Sequence, residues 1–404
     1  MKYIVVLGDG MADWPVKELD GKTPLDVAVK PNIDKCAREG LVGMVKTVPD
    51  GMKPGSDTAN LSVMGYDPKE CYSGRSPLEA ASIGVDLNPE DVTYRCNMVM
   101  LSGEEDVADT TMMDYCAGEI STAEADELIS ALREEIAKDG IELYTGVSYR
   151  HCLVLREAET GADLTPPHDI SLKPVRDYLP KGTNSELLLS IINTSRRIFK
   201  DHPVNLKRIA EGKHPATSVW FWGEGRKPSL KLFEDEYGLK GAVISAVDLI
   251  KGIAICAGMD SIDVEGATGN VDTNFKGKAM AAVKALREGA DYVYIHMEAP
   301  DECGHRHEVD NKILSIEKID SDVVRVIKEE MAGEDYSMMI LPDHPTPIEV
   351  MTHVSDPVPF VIYRSGKVLG NGAQMYSEKE GEKTGLFFES GPALLKFFLT
   401  GEDK

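Results

Sequence analysis

Apolar residues recur along the chain in two rhythms, and the change of rhythm divides it. Residues 3–7 are short, β-branched and continuously apolar, which predicts a buried parallel strand. That strand ends at a Gly-rich turn carrying Asp9. Residues 24–40 predict helix up to a glycine stop, and 41–48 predict the next strand. The same grammar returns far downstream. It predicts an Ala-rich helix over 276–287 with Gly289 as its C-cap, a strand over 292–297, apolar residues at helical spacing over 314–331, and strands at 338–341 and 358–362. Strand, helix, strand, with each strand closing on polar residues, is the pattern of an α/β doubly wound sheet whose ligands sit at the carboxyl ends of strands.

From about 72 to 217 the pattern differs. Alternating stretches at 92–101 and 149–155 predict a half-exposed antiparallel sheet. Between them a helix starts cleanly at a capping box, Ser121 with Glu124, carries Leu128, Ile129, Leu132 and Ile136 on one side, and stops at Gly140. A second helix is predicted over 185–200, after a loop rich in Pro and Gly. The stretches 71–77 and 211–215 have linker composition. The expected organisation is an α/β core formed by 1–71 and 218–404, with an α+β domain, 72–217, inserted into it. No internal repeat or low-complexity tract stands out.

Composition narrows the function. The 44 Lys and Arg against 68 Asp and Glu give a net charge of −24, which repels phosphate backbones and anionic membranes. Nucleic-acid binding is thereby disfavoured. The 42% hydrophobic and 28% charged content is that of a globular chain with a sizeable core. Seven cysteines, widely spread and without a C-x-x-C pair, indicate neither a disulfide framework nor a thiolate zinc site. The apolar run at the start is too short for a signal segment, and no stretch approaches a membrane span. A soluble, cytoplasmic, unprocessed protein is expected, its oligomeric state undefined.

Chemistry concentrates at the predicted strand tips. Asp301 and His305 follow the strand at 292–297, Asp343 and His344 follow the next, and His353 lies in the loop before 358–362. With Asp9 they make three Asp and three His at one edge of one sheet, and five of the nine histidines fall between 296 and 353. Carboxylate and imidazole without thiolate suit borderline or hard divalent ions such as Mn²⁺ or Zn²⁺, and six ligands are enough for two ions. Any one of these residues alone reads as a cap, a turn or a satisfied histidine. His307 could take the place of His305, and His296, inside a strand, reads as structural.

A nucleophile candidate, Ser56, opens a helical stretch after Pro54 and Gly55. A helix N-terminus stabilises a phosphoryl group or an alkoxide, and a bound metal would ionise the hydroxyl without a His base. Alone, the Gly-Ser-Asp-Thr run reads as an N-cap. Nucleotide motifs fail: there is no P-loop, and Asp13 stands where the third Gly of a dinucleotide fingerprint belongs.

Together, Asp9, Ser56 within Gly-Ser-Asp-Thr-Ala-Asn-Leu-Ser, Asp301-x-x-x-His305, Asp343-His344 and Thr352-His353 resemble the metal site of the alkaline phosphatase superfamily. More closely, the chain resembles the archaeal-type cofactor-independent phosphoglycerate mutases. The likeness extends over 8–13, 31–34, 65–68, 74–75, 149–151, 222–225 and 267–274. The resemblance implies an isomerase of glycolysis and gluconeogenesis, interconverting 3-phosphoglycerate and 2-phosphoglycerate through a phosphoserine on Ser56. It implies two divalent metal ions, Mn²⁺ foremost and Zn²⁺, Mg²⁺ or Co²⁺ as substitutes. One would be held by Asp301, His305 and His353, the other by Asp9, Ser56, Asp343 and His344. A mutase must keep water out and glycerate in, which gives the insertion a role as a closing domain. Arg75, Arg150 and Lys276 are candidates to bind the substrate's carboxylate and phosphate, with His151 as proton carrier; their alternative is a surface salt bridge. The rivals are a phosphotransferase acting on homoserine, a phosphatase or phosphopentomutase on the same metal core, and a non-enzymatic binding module.

Overall fold

The computed structural model describes residues 1–401. The chain divides into two compact units, one formed by Met1–Tyr72 and Leu230–Lys404, the other by Ser73–Ser229.

The first unit is built on an eight-stranded sheet. In chain order its strands are β1 (Lys2–Gly8), β2 (Leu41–Val45), β3 (Gly241–Ile244), β4 (Asp260–Ile262), β5 (Tyr292–Met297), β6 (Tyr336–Leu341), β7 (Val358–Arg364) and β8 (Phe387–Phe388). They lie side by side as β4-β3-β5-β1-β6-β7-β2-β8. β1 is parallel to both neighbours, with Gly8 opposite Met297 and Leu7 opposite Leu341. The residues that follow these three strands therefore emerge at one edge. β7 runs antiparallel to β6 and to β2, so the start of β7, not its end, reaches that edge. This is why His353 precedes its strand while the other candidates follow theirs.

β1, β5 and β6 are buried on both faces, as their unbroken apolar runs predict. The helices used below are α1 (Pro31–Glu39), α2 (Ser56–Val63), α3 (Phe275–Arg287), α4 (Ala299–His305) and α5 (Val309–Lys318). One helical expectation needs correction. The stretch 24–40 is two helices, Pro24–Val27 and α1, because Ala28 turns extended and Pro31 can open a helix but not continue one. The stretch 314–331 is helical through Glu330 as its spacing predicts, but with a π-helical segment, Ile319–Val324, that carries the buried Asp320. Asp320 Oδ1 accepts from the backbone N–H groups of Asn32 and Ile33 at 2.8 and 2.7 Å and so caps the first turn of α1.

The second unit holds a five-stranded antiparallel sheet around Val92–Leu101. Its alternation is real, but the expected half-exposure is wrong: nine of the ten residues of that strand are buried. Tyr94, Cys96 and Met98 pack with Leu128, Ile129, Leu132 and Leu188 of the helices Thr122–Ile136 and Ser185–Phe199. On the other side Arg95 pairs with Glu79 of the helix Ser76–Ser82. The capping box of Ser121 and Glu124 is formed in full. Ser218–Arg226 pairs with Val92–Leu101, so the division between units falls after residue 229 rather than after 217.

Candidate metal and phosphoryl-transfer site

At the shared edge, Asp9 directly follows β1 and is 1% exposed. Asp301 and His305 lie one turn apart on α4, which puts both on the same helix face. Asp301, His305 and His353 bring one donor atom each within 4.8 Å of one another, and Asp9, Asp301 and His344 do the same. The groups share Asp301. The three imidazoles lie in contact, His305 edge-on to His353 with ring centroids 4.6 Å apart and His344 tilted against His353 at 4.1 Å.

His305 and Asp343 are held from behind. His305 Nδ1 lies 3.0 Å from the carbonyl oxygen of Met351, which leaves Nε2 directed at the cluster. His307 uses its Nδ1 in the same way on Ile348, but its Nε2 faces Glu18 at 3.6 Å, so it does not replace His305. Asp343 Oδ1 accepts from the backbone N–H groups of Gly10 and His344, and its Oδ2 accepts from Asn60 Nδ2 at 2.8 Å. Asp343 is thus well supplied with donors from the protein itself. Ser56, the first residue of α2, places Oγ 3.3 Å from His344 Nε2.

The electrostatics are those of a site short of positive charge. Burial, with Asp343, Asp301 and Glu298 close by, pushes the Asp9 carboxyl well above its ordinary range. Burial acts on Asp301 in the same sense, but hydrogen bonds from His305 and His353 and the nearby His344 hold it well below. The hydrogen bond to Asp301 raises His305 to about 9, whereas burial lowers His344. Asp9 Oδ1 is buried and has no hydrogen-bond partner among the described residues. An orphaned carboxylate oxygen beside imidazole nitrogens, with further acids around it, fits a divalent cation.

Several groups escape a reading of the sequence. His296, read above as structural, has its Nε2 2.8 Å from Asp9 Oδ2 and its Nδ1 3.2 Å from Ser245 Oγ. Lys278, buried, donates to the His296 carbonyl at 3.0 Å, and burial lowers it to about 8. Asn60 bridges Asp343 to Tyr294, whose hydroxyl donates to Asn60 Oδ1 at 2.5 Å. The available signal was a polar residue inside an apolar run: His296 in a buried strand, Asn60 between Ala59 and Leu61. Such residues need partners.

Of the substrate-binding candidates, Lys276 is exposed near the start of α3. Arg75, Arg150 and His151 belong to the second unit. There Arg75 Nε and Arg95 Nε each lie 2.8 Å from an oxygen of Glu79, Arg150 adds to the positive field at that carboxylate, and Arg95 stacks 4.1 Å over Trp222. His151 is enclosed, and burial lowers it to about 3, so its ring is neutral.

The described residues contain no helix long and apolar enough to cross a membrane. The family model for 2,3-bisphosphoglycerate-independent phosphoglycerate mutase matches residues 37–205. A probable 2,3-bisphosphoglycerate-independent phosphoglycerate mutase of Geobacter sulfurreducens is 49% identical over 404 residues, covering 99% of this chain and 100% of that protein. The enzyme so named in Methanothrix thermoacetophila is 48% identical over 403 residues, again 99% and 100%. Among solved structures, a Pyrococcus horikoshii protein superposes with a TM-score of 0.81 at 30% identity, covering 100% of this chain and 98% of that one. The cofactor-independent phosphoglycerate mutase of Thermoplasma acidophilum gives 0.65 at 25% identity, covering 99% of each. The chain therefore belongs to the family of 2,3-bisphosphoglycerate-independent phosphoglycerate mutases, enzymes whose substrate is a small phosphorylated carboxylate.

Proposed function

We propose that this chain interconverts 3-phosphoglycerate and 2-phosphoglycerate through a phosphoserine on Ser56, with two divalent cations, Mn²⁺ foremost, in the edge site. The observation that carries the reading is Ser56 Oγ at a helix N-terminus, 3.3 Å from His344, a member of one of the two donor groups. Asp301, His305 and His353 would hold one cation; Asp9, Ser56, Asp343 and His344 would hold the other. Bound there, the cations would supply Lewis-acid charge that lowers the Ser56 hydroxyl pKa and offsets the phosphoryl oxygens.

Ser56 Oγ attacks phosphorus in line. Its bond to phosphorus forms as the substrate's phosphorus–oxygen bond breaks, and the Ser56 proton ends on the departing glycerate oxygen. In the return step the other glycerate hydroxyl attacks the phosphoserine, and Ser56 recovers a proton. The positive end of α2 favours the phosphoryl group throughout. Arg75, Arg150 and Lys276 retain the role of anion-binding groups in this proposal. His151 keeps that of proton carrier: its ring is enclosed and burial lowers it to about 3, and a neutral imidazole is the form that accepts a proton.

The test is an enolase-coupled assay with Mn²⁺ and without 2,3-bisphosphoglycerate. Turnover that Ser56→Ala abolishes is the expected result. Absence of turnover alongside ATP-dependent phosphorylation of homoserine would overturn the reading, and release of inorganic phosphate faster than isomerisation would replace it with a phosphatase. The curated relatives, named as mutases, do not favour either rival.

A further inference from the structure

Lys312 is fully buried on α5, seven positions beyond His305. An ammonium has three N–H donors. Here three acceptors take them: Asp13 Oδ2 at 2.7 Å, the Thr346 carbonyl at 2.8 Å and the Ala12 carbonyl at 3.3 Å. None of the three belongs to α5. Ala12 and Asp13 lie in the loop after β1 that begins with Asp9, and Thr346 lies in the loop after β6 that carries Asp343 and His344. Lys312 itself stands on the helix that follows Asp301 and His305. One ammonium therefore ties together the three segments that supply five of the candidate metal donors.

The surrounding contacts converge on the same junction. The Thr346 N–H donates to Ala12 O at 3.3 Å, and the Asp13 carboxylate accepts from the Ile348 N–H at 3.2 and 3.3 Å. Thr346 Oγ1 donates to Asp301 Oδ1 and lies 3.3 Å from His344 Nδ1. The backbones meet so closely that a Cβ at Gly304 would lie 2.5 Å from the Thr346 carbonyl oxygen.

A buried ion pair is often no more stable than a well-packed apolar pair of the same volume, so stability alone does not account for a lysine here. An apolar side chain would fill the space but leave both carbonyls unheld. We propose that Lys312 is a positioning residue for the metal site: it fixes the loops of Asp9 and of Asp343 and His344 against α4, at the separation at which their donors converge. This inference rests on the two-cation reading given above.

Three variants test it: Lys312→Met, Lys312→Gln, and Lys312→Met combined with Asp13→Asn. Each chelator-stripped protein is melted, and Mn²⁺ is titrated into it by calorimetry. Lys312→Met should lower Tm and weaken Mn²⁺ binding at least tenfold, and Lys312→Gln, which keeps donors for the carbonyls, should fall between it and the wild type. The double variant has no unpaired buried charge, so it should regain Tm but not Mn²⁺ affinity. A double variant that binds Mn²⁺ within twofold of the wild type would overturn the proposal and leave Lys312 a structural residue. A wild-type protein that binds no Mn²⁺ would instead overturn the two-cation reading, and this inference with it.

Discussion

His305 Nε2 and His353 Nε2 face one another at 2.8 Å, and each lies 3.3 Å from an oxygen of Asp301. Two imidazole nitrogens at that distance share a single proton or a single cation. Between two rings that lean on one carboxylate, a divalent ion satisfies all three groups at once.

The first prediction follows from that arrangement. Stripping with a chelator should abolish mutase activity, and Mn²⁺ should restore it. His353→Asn should raise the Mn²⁺ dissociation constant by on the order of 100-fold or more, beyond the 10–100-fold usual for losing a group that merely supports a ligand. Calorimetric titration of Mn²⁺ into the stripped proteins checks this, and an unchanged affinity would remove His353 from the metal site.

Asn60 is the second test. Its side chain holds Asp343 Oδ2 and receives the Tyr294 hydroxyl, and all three residues are buried. Asn60→Ala leaves those partners unsatisfied and should cost about 1–3 kcal/mol of stability for each group stranded. Because Asp343 is also released, kcat should fall roughly 10–100-fold. Urea denaturation and steady-state kinetics on one preparation separate the two effects.

Gly10 is the third. Its φ is +60, and a Cβ would lie 2.6 Å from Asp301 Oδ1 and 2.5 Å from Thr346 Oγ1. Gly10→Ala should cost about 1–2 kcal/mol for the left-handed backbone alone. The methyl group must also displace Asp301, so Mn²⁺ affinity should drop well beyond what the loss of stability accounts for. Gly51, also at positive φ but with nothing within 4 Å, provides the control: Gly51→Ala should show the backbone cost without the metal effect.

The fourth concerns acid. His151 is held at about 3 in the folded chain by burial, against an ordinary 6.5. Below 6.5 the unfolded chain binds a proton that the folded chain does not, so stability is lost as pH falls from about 6.5 toward 3. By pH 5 this amounts to about 2 kcal/mol. His151→Gln should remove that part of the acid sensitivity, measured as the change in urea midpoint between pH 7 and pH 5. Equal losses in both proteins would show that the ring takes up its proton as readily in the folded chain as in the unfolded one.

Sequence made the sheet edge legible because strands buried on both faces write themselves as unbroken apolar runs, and Asp9, Asp343 and His344 sit where those runs stop. Asp301 and His305 could be placed after a strand, but not on α4, whose seven residues are too few to display a helical period. What remained hidden depends on partners distant in the chain. Lys312 has no local pattern that sets it apart from a surface lysine, and its three acceptors lie about 300 and 34 positions away. Val92–Leu101 showed its alternation but not its burial, because the charge that covers Arg95 comes from Glu79, outside the strand.

The position of β1 between β5 and β6 has a consequence for synthesis. Once made, β1 finds its neighbours only after residues 292 and 336 have followed it. At about 5–20 residues per second, that leaves an apolar, unpaired segment waiting for tens of seconds. Residues 73–229 form a contiguous stretch with its own core and can close in that interval. β1 is thus open to chaperones and to aggregation in the nascent chain, although its residues 4–8 are all buried in the finished one.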